Sequence, residues 1–104
     1  MARKGYKKNP DFLAFVHTLN CRMGMQDPCD GALHAHHAGE RGYGQKAPDE
    51  TCIPLCHRHH HAWHGCLGVF SGWTKDERRA WSERQIAWVQ GQYEMKPPVI
   101  GRRA

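Results

Sequence analysis

From Cys56 to His64 the chain reads Cys-His-Arg-His-His-His-Ala-Trp-His, so six of nine consecutive residues carry a side chain able to ligate a metal ion. No apolar pattern elsewhere constrains the fold as strongly, because so many thiol and imidazole groups must be divided among ions, packing and solvent. Upstream and downstream donors bring the totals to five cysteines and nine histidines in 104 residues. A chain of this length forms one domain, and its 39% hydrophobic content includes the cysteines and four tryptophans, so the apolar core is modest and a staple is expected.

Disulfides or metal could supply that staple. The odd cysteine count leaves one thiol over from any all-disulfide scheme. The start of the chain, with Arg3, Lys4, Lys7 and Lys8, is basic and is followed by only a short apolar patch, Phe12 to Val16. It offers neither a signal-peptide cleavage site nor a stretch long enough to span a membrane. The expectation is a cytoplasmic protein with reduced thiols and no membrane partner. A formal charge of +5 favours acidic partners, nucleic acid first, although a balance of that size is also common without one.

Residues 1–9 read as a flexible basic arm and 96–104 as a tail, leaving a single domain over 10–95. Asn9-Pro10-Asp11 has the form of a helix start, with Asn9 capping and Pro10 in the first turn. Residues 20–50, rich in Gly, Pro, Asp and His, predict loop and hairpin. Thr51 to Leu55 reads as a short strand whose Pro54 suggests an edge or an end. It delivers the chain into a short helix over the Cys56–His64 run, stopped by Gly65. Thr74 and Glu77 have capping-box spacing and open a second helix that runs to about Tyr93.

Cys21 and Cys29 flank a loop containing Gly24, Asp27 and Pro28, and Cys56-x-x-His59 follows about 27 residues later. Two such pairs make a tetrahedral zinc site, with Cys21, Cys29, Cys56 and His59 as ligands. The bland alternative is that these thiols are small buried hydrophobes, which is the favoured reading for Cys52 and Cys66. Either of those two replaces Cys29 only if the loop folds unexpectedly.

His60 and His64 are one helical turn apart and share a face, whereas His59 points elsewhere and serves the zinc. One helix thus supplies two ions. His36-His37 offers a further ligand and a base from an extended segment. This pairing suits phosphodiester hydrolysis, which needs a water activated near neutral pH and a cation to offset developing charge. The competing reading is that the histidines between His57 and His61 form a solvated run. In the metal reading itself, His17, His34, His57 and His61 are surface or packing residues rather than ligands.

Taken in order, Cys21-x7-Cys29, Ala35-His36-His37, the loop closing in Lys46-Ala47-Pro48-Asp49, and Ile53-Pro54-Leu55-Cys56-His57-Arg58-His59-His60 resemble the HNH endonucleases. The resemblance covers about residues 12–66 and points in particular to the small phage and prophage group that includes recombination-associated nucleases. It implies an α+β ββα-metal fold with flanking helices, a structural Zn2+, and a catalytic divalent cation (Mg2+, Zn2+ or Mn2+). Carried over, His36, His60 and His64 hold that cation, His37 is the general base, and Asp49 braces the loop. His36 and His37 exchange roles if the strand register shifts by one residue. The chain departs from the family pattern in its His fourth zinc ligand, its long cysteine spacer, and Asp49 in place of Asn.

The implied activity is endonuclease or nickase action on DNA, in a bacterial or phage-infected cytoplasm, with phage or host recombination proteins as further partners. Arg78, Arg79 and Arg84 are candidate phosphate contacts on the last helix. Trp81 and Trp88 lie near one face of that helix, with Trp63 and Trp73 packing beneath. Two rivals are a non-catalytic zinc-stabilised module that binds nucleic acid, and a zinc hydrolase acting on another substrate. The second lacks an H-E-x-x-H motif.

Overall fold

The computed structural model describes residues 8–39 and 47–95. The expected basic arm (residues 1–7 of it), the Gly-rich loop with Lys46, and the tail from residue 96 lie outside the described residues.

Chain order is helix α1 (Pro10–Val16), strand β1 (Leu33–His37), a 3-10 turn (Asp49–Thr51), strand β2 (Cys52–Cys56), helix α2 (His57–Gly65), a second 3-10 turn (Gly68–Phe70) and helix α3 (Lys75–Met95). Over the described residues the result is a small α+β domain with three helices around one two-stranded sheet. Helix α1 starts as expected: the Asn9 side chain accepts the Phe12 N–H, and Pro10 occupies the first turn, where its missing donor costs nothing. At α3 the capping box closes reciprocally, Thr74 N–H to Glu77 at 2.8 Å and Glu77 N–H to Thr74 Oγ1 at 3.0 Å.

The sheet is an antiparallel pair with Leu33 opposite Cys56, Ala35 opposite Pro54, and His37 opposite Cys52. Pro54 is tolerated because a two-stranded sheet has only edges. Its carbonyl is still used, accepting from Arg22 N–H at 3.0 Å, so the Cys21 loop docks directly on β2.

Helix α2 ends differently from the sequence expectation. Gly65 belongs to the helix, and the left-handed residue that ends it is Cys66, at φ 55°. Helices usually assign this conformation to glycine, since a Cβ is strained there. Here the Cys66 N–H is retained by the Ala62 and Trp63 carbonyls.

Phe12, Val16, Ile53, Leu55, Phe70 and Val89 are at most 1% exposed and form the core, filling the space between α1, β2 and α3. Burying each such side chain contributes roughly 1.5–3 kcal/mol, a small total for a chain that must order three helices. Aromatic edges extend this core: Trp63 meets Phe70 at 5.0 Å and Trp81 at 5.3 Å, and Trp73 meets Phe70 at 5.1 Å. Trp88 does not join them. It is 36% exposed and lies under the Arg22 guanidinium at 3.6 Å. Among the described residues no helix is long and apolar enough to cross a membrane.

Candidate metal centres

The Cys21 loop folds back on the start of α2. Gly24 permits this approach, because a Cβ there would lie 3.0 Å from Cys29 Sγ. Gly31, at φ +87°, makes the second bend, and a Cβ would lie 2.6 Å from that of His57. The Arg58 and His57 N–H groups then donate to the Asp30 and Ala32 carbonyls at 3.0 and 2.7 Å, fixing the loop on the first turn of α2.

This brings Cys21, Cys29, Cys56 and His59 together, with their donor atoms within 4.8 Å of one another. His59 Nδ1 faces all three sulfurs, at 3.3 Å from Cys21, 3.9 Å from Cys29 and 3.2 Å from Cys56. Those separations suit a tetrahedron with bonds of about 2.0–2.3 Å, and three thiols with one imidazole are a closed zinc donor set. Burial pushes Cys29 up to about 12, helped by the neighbouring Cys56 and Cys21 thiols. Burial opposes ionisation of Cys56 as well, but the His59 and Asp30 backbone contacts outweigh it and bring that thiol down to about 7. The Cys56 sulfur is thus biased toward the thiolate, while Cys29 holds its proton until a cation displaces it.

On the far side of the same imidazole, His59 Nε2 lies 2.8 Å from Asp27 Oδ2, which also pairs with Arg58 at 3.0 Å. The His59 contact holds the Asp27 carboxyl below the usual carboxylate range. An Nε2–H donated to this carboxylate leaves Nδ1 as the ligating atom, the orientation that carboxylate–histidine pairs give zinc sites. The sequence reading placed Asp27 in the loop without a role. Its signal was its position, two residues before a cysteine ligand.

The second cluster arises from strand and helix periodicity together. His34 and His36 project from one face of β1, and His60 and His64 sit one turn apart on α2 above it. His36, His60 and His64 offer donor atoms within 4.8 Å of one another, with His60 Nε2 3.2 Å from His64 Nε2. Burial first, then the nearby His60, His64, His37 and Arg78 charges, lower His36 to about 3. Burial and the His64, His34 and His57 rings lower His60 to about 4. Both imidazoles are therefore neutral at physiological pH, with lone pairs free to ligate. His36 Nε2 is buried and has no hydrogen-bond partner among the described residues. An orphaned buried nitrogen is costly, and an ion at the trio would satisfy it.

His34, expected as a surface or packing residue, packs against this cluster. Its Nδ1 lies 2.9 Å from His60 Nδ1. Because two ring nitrogens in contact need one proton between them, a His60 that ligates through Nε2 must donate Nδ1–H to His34. The two-residue offset from His36 on a strand was the available signal. His57 is exposed, with its ring 5.5 Å from that of His34, and His17 and His61 are exposed.

His37 ends β1 and turns to a different partner: its Nε2 lies 2.9 Å from Asp49 Oδ1, and its side chain is 34% exposed. Cys52, opposite His37 in the sheet, completes a His37, Asp49 and Cys52 grouping. Cys52 is fully buried, and burial, with Asp49 and Glu50 nearby, pushes its thiol up to about 12. Cys66 is exposed and accepts from Arg78 Nη1 at 2.6 Å. The two spare cysteines therefore stay out of the four-donor cluster.

The three candidate arginines separate. Arg78 and Arg79 line a cleft between α3 and the end of β1, whereas Arg84 borders a hollow with Trp73, Glu77 and Ala80. In comparisons with family models, curated proteins and solved structures, nothing matches this chain.

Proposed function

We propose that the protein is a metal-dependent phosphodiester hydrolase, an endonuclease or nickase acting on DNA, with the ββα-metal arrangement of the HNH nucleases. The observation that carries this reading is His36: a neutral, buried imidazole whose Nε2 has no hydrogen-bond partner among the described residues and whose ring lies 4.9 Å from that of His60 and 5.2 Å from that of His64. A structural role for His36 would supply a hydrogen bond to that nitrogen. Zinc in the Cys21, Cys29, Cys56 and His59 cluster staples the Cys21 loop to α2 and so fixes the helix that carries His60 and His64.

In this reading His36, His60 and His64 hold a divalent cation, which supplies charge stabilisation for the phosphodiester oxygens. His37 is the general base. Asp49 takes up Nε2–H, so the lone pair that accepts the proton of the attacking water is on Nδ1. Asp49 thereby does more than brace a loop: it sets the tautomer of the base and stabilises the imidazolium that proton transfer creates.

The test is nicking of supercoiled plasmid by zinc-loaded protein with added Mg2+, Mn2+ or Zn2+. Wild type should nick. His37→Ala should lose roughly two to four orders of magnitude in rate with its ions still bound, the usual worth of a positioned base. His36→Ala should lose activity together with the second ion, and excess metal should restore part of it. Wild-type protein that binds DNA but never cuts would favour the zinc-stabilised binding module instead.

A further inference from the structure

The proposed hydrolysis leaves unused a cleft of about 450 Å3 beside the histidine cluster. Ala38, Trp63 and Ile86 give it an apolar floor, and Lys75, Arg78 and Arg79 form its rim, answered within the cleft by the single carboxylate of Glu83. The cations sit at i, i+3 and i+4 on α3, so they share one face of the helix. Lys75 and Arg79 are exposed. The cleft also adjoins the candidate centre. Ala38 directly follows His36-His37, and the Trp63 ring that floors the cleft lies 5.9 Å from the His36 ring.

Arg78 is held in place before any ligand arrives. Its guanidinium lies 4.2 Å over the Trp63 ring, donates Nη2–H to the Trp63 carbonyl at 3.1 Å and meets Cys66 Sγ at 2.6 Å. A guanidinium has five N–H donors, so donors remain for an anion, and a side chain already ordered loses little entropy on binding one.

We infer that this cleft seats the phosphodiester backbone of the substrate strand next to the cutting site, with phosphates on Lys75, Arg78 and Arg79 and a sugar or base against the Trp63–Ile86 floor. The choice of nucleic acid as the polyanion rests on the nuclease reading, which this inference deepens. The cleft volume falls within the usual range of ligand sites, roughly 300–1,000 Å3. Arg84, on another part of α3, takes no share.

Salt dependence of binding tests the inference. Zinc-loaded His37→Ala protein is titrated into an end-labelled DNA duplex and into the corresponding single strand, with anisotropy read between low and moderate KCl and no second divalent ion added. Each phosphate contact contributes about 0.9 to the slope of log affinity against log salt on duplex DNA and about 0.7 on a single strand. Lys75→Gln and Arg79→Gln should each flatten the slope by about that amount and weaken binding several-fold at low salt. Arg84→Gln removes the same charge and should leave the slope unchanged. Arg78 is left out of the decisive set because its contacts to Trp63 and Cys66 also brace α2.

If Arg84→Gln flattens the slope as much as Lys75→Gln, the binding is a diffuse field effect and the cleft is overturned. Slopes indifferent to Lys75 and Arg79 overturn it as well. A protein that nicks plasmid while its affinity ignores these residues loses the cleft and keeps the nuclease. One that binds through them but never cuts loses the nuclease and keeps the cleft.

Discussion

Asp49 is 1% exposed, and its two oxygens face different elements: Oδ1 holds His37 Nε2 at 2.9 Å, and Oδ2 accepts the Asn9 backbone N–H at 2.7 Å. One buried carboxylate thus joins the first turn of α1 to the last residue of β1. Asn9 also reaches the neighbouring Glu50 through its side-chain amide at 2.7 Å, so the cap of α1 is tied twice to the 3-10 turn that precedes β2.

Replacing this carboxylate should therefore affect both stability and chemistry. Asp49→Ala leaves the Asn9 N–H and the His37 ring short of an acceptor, and should cost about 1–3 kcal/mol in chemical denaturation. Asp49→Asn restores an acceptor and most of the stability but not the charge that stabilises an imidazolium. Its nicking rate should stay well below wild type at equal DNA affinity. Full activity in a stably folded Asp49→Asn protein would remove Asp49 from the base.

The purified protein should retain about one zinc per chain, and stripping it should abolish cooperative melting, since a closed site contributes folding free energy directly. Cys21→Ala and Cys56→Ser should behave like the stripped protein. Asp27→Asn should fold but bind zinc about 10–100-fold more weakly, the usual effect of losing a carboxylate behind a ligating histidine. Competition with a coloured chelator measures both effects. A sharp melt in chelator-stripped protein would show that the staple is not metal.

How much of this was legible in the chain depends on whether the signal was local. Local signals read well: the Asn9 cap, the Thr74–Glu77 box, and the i, i+4 pair His60 and His64 each depend on neighbours in sequence. The four-donor cluster was legible because Cys56-x-x-His59 fixes one half, and chain reversal through Gly24 and Gly31 brings the other half to it. The partners of ring nitrogens were not legible. Asp27 meets His59 across 32 positions and His34 meets His60 across 26, and no local rule gives such pairings. The end of α2 was misplaced for a related reason: glycine is the expected left-handed residue, yet backbone bonds to Ala62 and Trp63 hold Cys66 there. Trp88 was grouped with Trp81 by helical spacing, but the Arg22 loop covers that part of α3 instead of the aromatic cluster.

The His34–His60 contact makes a prediction separate from those for the ligands. His34→Ala should weaken the second ion by about 10–100-fold without touching the zinc, because His60 loses the acceptor that fixes its tautomer. His34→Asn places an oxygen near the lost Nδ1 and should recover most of that affinity. Calorimetric titration of zinc-loaded protein with Mn2+ or Co2+ reads both variants. His60→Ala and His64→Ala should abolish this binding and leave the melt nearly unchanged; if they lose the structural zinc instead, the two centres have been assigned the wrong way round.

Acidification should destabilise the fold, in part through His36. Its native value of about 3 lies below the ordinary 6.5, so between these values the unfolded chain takes up a proton that the native protein refuses. Stability then rises with pH: the contribution is fully present above about 6.5 and is lost progressively as pH falls toward the native value. At pH 5 the loss from one such group is about 2 kcal/mol. His60, lowered to about 4, acts in the same direction. Because the cysteine cluster also releases zinc in acid, the informative quantity is a difference between proteins. With zinc in excess and no second ion, urea denaturation at pH 7 and pH 5 should show a smaller loss for His36→Asn than for wild type. Equal losses in the two proteins would mean that His36 is not held neutral, and its Nε2 would then not be the ligand of a second ion.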